Sequence, residues 1–166
     1  MRAAFTFILF FIFCLTARSQ TTATHNATMV IPQILELTMT TGDVVFTFGS
    51  IAELTSAAGK NTESAGLQTR LVVSSNRNYV ISVKGSGALN TTPANDTPIP
   101  LSTLQVKNIS GNGAYQTLTT TDAPLIIGPA GGQDIVHFVS YKAVLSNLVY
   151  RSGTYTAAIT YTISQP

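Results

Sequence analysis

The chain has 166 residues, a formal net charge of +2, only 10% charged residues, no Trp and one Cys. There is no basic patch of the kind that marks a nucleic-acid-binding protein, and one thiol excludes a disulfide-stapled scaffold. The length is sufficient for one well-covered core.

The chain opens with Met1-Arg2 and an apolar run, Ala3 to Ala17, which holds five of the eight Phe residues. A run of about 15 residues is short for the roughly 20 that a spanning helix needs. A positive start, a short apolar stretch and small residues at its end predict a secretory signal peptide over 1–19. Ala17 and Ser19 take the −3 and −1 positions, so cleavage is expected before Gln20, with a cut after Ala17 as the alternative. Arg2 and Arg18 leave with the leader, so nine basic residues become seven against seven acidic ones, and the net charge becomes zero. Cys14 leaves too, and burial alone must hold residues 20–166 together as one domain.

Ala23 to Ile31 alternates weakly, with Ala27, Met29 and Ile31 on one face, and Pro32 ends it. Leu35, Leu37 and Met39 share one side of a predicted strand. Thr41-Gly42-Asp43 is a turn signal, and Val44, Phe46 and Phe48 alternate beyond it, so 34–48 reads as a hairpin. Ser50 to Gly66 is the least strand-like part: a helical turn at Ile51–Ala58 competes with a loop.

Leu67, Thr69, Leu71 and Val73 form the next apolar face, and Ser75 to Asn78 a turn. Tyr79, Ile81 and Val83 follow, closed by Gly85-Ser-Gly87. Residues 88–100 read as a loop. Short strands are expected within Leu101–Ile109, Tyr115–Thr119 and Leu125–Ile127. Asp134 to Tyr141 is a stronger one, with Val136 and Phe138 opposite Ile135, His137, Val139 and Tyr141. Ala143 to Arg151 is ambiguous.

The last stretch alternates without a break from Thr154. Tyr155, Ala157, Ile159, Tyr161 and Ile163 point one way, and the threonines between them the other. Side chains switch faces at every residue of a strand, so this predicts a long, half-buried strand at the centre of the fold. The sum is an all-β domain, an immunoglobulin-like antiparallel β-sandwich of roughly eight to ten strands, with an up-and-down barrel as the competing architecture.

Asn78 to Gly87 contains Tyr79-x-Ile81, and Tyr161-x-Ile163 repeats that form inside the ending GTYTAAITYTIS. This resembles the WxL-type surface domains of bacteria, which carry one Trp-x-Leu strand mid-chain and a second in a final strand. The ending is also similar to those of spore-coat-U-like secreted β-sandwich proteins. Tyr79 and Tyr161 stand where the WxL family has tryptophans. The resemblance implies a secreted surface sandwich, with Tyr79, Ile81, Tyr155, Tyr161 and Ile163 as the candidate motif, either core or surface contact.

Chemistry is sparse. His25 and His137 are the only histidines, and no Gly-x-Ser-x-Gly elbow accompanies them. Two separated His and scattered carboxylates lack transition-metal spacing, and a loop calcium site would have to use Asp96 or Asp134. No catalytic residue, cofactor or metal is expected. Asn26, Asn90, Asn95 and Asn108 each begin Asn-x-Ser/Thr, and Tyr115, Tyr141 and Tyr150 are candidates for stacking on sugars. The reading is a secreted, non-enzymatic structural or interaction module of the cell surface or periplasm. Its expected partner is a cell-envelope protein or glycan, with self-association open. The alternatives are a fimbrial subunit that assembles by strand addition, against which the final strand reads as complete, and a glycan-binding adhesin.

Overall fold

The computed structural model describes residues 22–63, 66–91, 97–129, 131–146 and 148–166. The expected leader at 1–19, and with it the cleavage site, lies outside them, as do Asn95 and Asp96. The chain divides into two units, Met1–Ile31 and Pro32–Pro166. In the first, residues 22–31 are exposed and carry neither helix nor strand. The strand expected over Ala23–Ile31 is therefore not formed: its alternation is there, but no ladder satisfies its backbone.

The second unit is all-β and sandwich-like. Its strands run β1 (Leu35–Met39), β2 (Lys60–Asn61), β3 (Thr69–Ser75), β4 (Tyr79–Gly85), β5 (Asn90–Thr91) and β6 (Leu104–Asn108). They continue as β7 (Gln116–Thr117), β8 (Ala123–Gly128), β9 (Gly132–Ala143), β10 (Tyr155–Thr156) and β11 (Ile159–Ser164). One sheet has the order β1-β3-β9-β6-β7, with β2 on β9, and a second has the order β11-β4-β8. β10 and β5 form a separate pair, and every pairing is antiparallel. Among the described residues no helix is long and apolar enough to cross a membrane.

The two sheets share one core. β3 contributes Leu71 and Val73, β4 Tyr79, Ile81 and Val83, β6 Leu104 and Val106, and β9 Val139, Tyr141 and Ala143. β3 and β4 are the best-buried strands, each alternating fully buried with half-buried residues along its length. Two turns are pinned by side chains that the sequence places there. Ser75 Oγ accepts from Arg77 N at 3.1 Å in the bend that carries the chain from one sheet to the other. Asn76 accepts from Ile34 N and donates to Pro32 O, each at 2.9 Å, fixing the start of β1 at the Ser75 end of the sandwich. At Gly128 a Cβ would come within 2.0 Å of Tyr79 Cζ, so only glycine lets the Tyr79 ring lie there.

Two expectations are corrected. The hairpin over 34–48 does not form: β1 pairs with β3, and 44–48 belongs to no strand. Val44, Phe46 and Phe48 still turn their side chains onto the core, so the alternation was burial without a ladder. The long final strand is broken at Ala157–Ala158, where β10 follows β5 and β11 follows β4. β11 is an edge strand, not a central one. The Ile51–Leu54 stretch is a single helical turn, α1, closed by a capping box in which Glu53 N donates to Ser50 Oγ and Gly49 N to Glu53 Oε2.

Candidate functional site

β11 holds its inner edge against β4. Ala158 O accepts from Ser86 N at 2.8 Å, and the ladder continues from Ile159 opposite Gly85 to Ser164 opposite Val80. Antiparallel pairing alternates, so the residues beside that bond turn their own amide and carbonyl groups the other way. Ile159 and Tyr161 thus present backbone N–H and C=O to the outer edge, where no described strand pairs with them.

A groove of about 1290 Å³ is lined by Ile159 and Tyr161 and extends to Ser86, Leu89, Asn90 and Ile99, next to the paired side of these strands. Its lining also includes 150–158, 42–48, Leu104, Tyr141, Ala143 and Leu145. A smaller cleft of about 520 Å³ flanks 44–48 on its far side, toward Gly59–Thr62 and Leu67. The 44–48 segment, which belongs to no strand, contributes to the lining of both cavities. It is tethered by Lys60 Nζ, which donates to Thr47 O at 2.5 Å and pairs with Glu53 at 2.7 Å. Lys60, above all through its hydrogen bond, holds the Glu53 carboxyl below its usual range.

Two tyrosines meet inside the groove. The Tyr161 hydroxyl from β11 is hydrogen-bonded to the Tyr141 hydroxyl from β9, tying the two sheets together. Burial pushes both phenols up, Tyr161 strongly, with the neighbouring Tyr141 adding to it. Both stay protonated at physiological pH, and neither supplies a phenolate. At the rim, Tyr155 donates to Arg151 O at 3.1 Å and meets the Tyr150 ring edge-on at 6.4 Å.

The motif residues thus occupy different depths. Tyr79 and Ile81 are fully buried, while Tyr155, Tyr161 and Ile163 are half-buried and face inward from the edge. The Tyr79 hydroxyl lies 2.7 Å from His137 Nε2, and burial lowers the His137 pKa. Of the three tyrosines proposed for sugars, Tyr141 is buried. The Tyr115 ring is approached by Lys107 at 4.9 Å and Lys142 at 5.7 Å, and its hydroxyl is bonded to Ser140. Only Tyr150 lies at the groove rim. Among the described residues no three His, Cys, Asp or Glu stand close enough to hold a metal.

The sequence reading missed the groove wall. Its signal was present as the Val44-Phe46-Phe48 alternation, but alternation reports burial and not pairing. No protein-family model matches the chain, and a search of curated proteins returns no match.

Proposed function

We propose that this chain is a secreted, non-enzymatic structural or interaction module of a bacterial cell surface or periplasm. In this reading it takes an extended segment of a protein partner into the groove beside Tyr155–Tyr161. The observation that carries it is an edge strand whose residues line a groove. Ile159 and Tyr161 turn backbone groups away from β4, no described strand pairs with them there, and they line a groove together with 44–48, Leu104 and Ala143. An unpaired strand edge is a ready template for another chain, and main-chain bonding with alternate side chains in pockets is a common way to recognise a peptide. A fimbrial subunit is the special case in which another copy supplies the strand.

The resemblance to WxL-type and spore-coat-U-like proteins supports the surface assignment, and the apolar start supports export. Under this reading Tyr79 and Tyr161 act as pillars of the core at the positions of the family tryptophans. The non-enzymatic part is supported by the two inner hydroxyls of the groove, Tyr141 and Tyr161, which are bonded to each other and held protonated by burial.

Fractionation of the native host, with N-terminal mass analysis, tests the assignment. The expected product starts at or near Gln20 and is found with the envelope or outside the cell. A cytoplasmic product that retains Met1 and the Phe-rich run would overturn it.

A further inference from the structure

We propose that the groove's occupant is residues 23–31 of a second copy, added as a strand along the outer edge of Tyr155–Tyr161, so that copies join head to tail. This rests on the reading of the groove as a strand acceptor and names its partner.

Four observations converge. The first is an unpaired donor. Residues 22–31 form no strand, and Met29, Val30 and Ile31 are 84%, 82% and 72% exposed. Three consecutive apolar side chains in water are costly to leave uncovered. The segment also alternates: Ala27, Met29 and Ile31 fall on one face, and Asn26, Thr28 and Val30 on the other.

The second is length. Nine residues at the rise of a strand reach about 30 Å, and the seven of Tyr155–Tyr161 need about 23 Å. Pro32 follows at once, and without an N–H it ends any ladder there. The third is charge. Residues 23–31 contain no Asp, Glu, Lys or Arg, so nothing in them loses a hydrated charge on entering a groove floored by Leu104 and Ala143.

The fourth is direction. Asn76 fastens Pro32 and Ile34 at the Ser75 end of the sandwich. The groove lies toward the other end, lined by Ile159 and by Ser86, which follows Ile159's ladder partner Gly85. A root at one end and a socket at the other make a heterologous contact, which propagates as an open chain rather than closing into a two-fold dimer.

The test uses protein recovered from the host envelope. Light scattering is expected to give multimers whose mass rises with concentration. Met29→Asp combined with Ile31→Asp is expected to leave a monomer that melts at the temperature of wild type diluted to the monomer, because both side chains are exposed in the single chain. A wild-type monomer at all concentrations, or multimers that survive the double substitution, would overturn the proposal. So would a double variant that no longer folds, since that would place 23–31 within the fold of its own chain. In a second arm, Thr28→Cys and Thr156→Cys proteins, whose cysteines both fall on the faces turned away from the groove, are mixed and oxidised. A disulfide between the two variants is expected, and a bond confined to single chains when both substitutions are combined would overturn the proposal. Envelope protein that stays monomeric sinks this partner alone; protein absent from the envelope sinks the underlying assignment.

Discussion

Tyr79 from β4 and His137 from β9 meet at 2.7 Å, hydroxyl to Nε2, and this bond joins the two sheets. The rings lie edge-on, with centroids 6.1 Å apart. A neutral His137 makes this bond in either tautomer, since the Tyr79 hydroxyl can donate to Nε2 or accept from it.

That geometry sets a pH dependence. Burial lowers the His137 pKa below its ordinary 6.5, so the folded state resists the proton that the unfolded chain accepts. The His137 contribution is thus intact above about pH 6.5 and is lost as pH falls from there toward the lowered folded value. Urea unfolding at pH 7.5 and pH 5.5 should show a loss of stability in wild type that is smaller in His137→Asn. Equal losses in the two proteins would show that His137 is not held neutral.

Gly128 lies under the same tyrosine. A methyl group there would meet the Tyr79 ring at 2.0 Å, and the ring is fully buried. Gly128→Ala should cost about 1–3 kcal/mol through overpacking, read as a lower urea midpoint. A neutral substitution would mean that the ring has room to move.

The two faces of β11 should differ sharply. Tyr161 packs on the core and binds Tyr141, whereas Thr162 is exposed. Truncation of a buried aromatic costs about 3–5 kcal/mol, and half-burial places Tyr161→Ala at or below the low end of that range. Thr162→Ala should stay within about 0.5 kcal/mol. Equal effects in chemical denaturation would reverse the assignment of faces.

The all-β class and the inward faces were legible because a strand's period of two is written directly in its side chains. Tyr79-Ile81-Val83 and Leu71-Val73 name their own buried face. Pairing was not legible. Val44, Phe46 and Phe48 alternate as regularly as β1 does, yet only β1 finds a ladder, because pairing depends on which backbone lies alongside. The break at Ala157–Ala158 was hidden for the same reason: the side-chain pattern runs through it while the backbone changes partner from Asn90–Thr91 to β4. The groove follows from those two facts and so lay beyond the sequence reading. The Ser50 and Glu53 capping box, by contrast, was there to be read.

The central claim is that the outer edge of Tyr155–Tyr161 is open and accepts a strand. Residue-resolved amide exchange on the monomeric Met29→Asp, Ile31→Asp protein, with and without a peptide of residues 22–33, tests it most directly. The Ile159 and Tyr161 amides should exchange fast alone and slow markedly with the peptide, while those of Thr160 and Thr162, already paired with β4, stay protected throughout. Ile159 and Tyr161 amides that are protected without the peptide, or unchanged by it, would contradict the account.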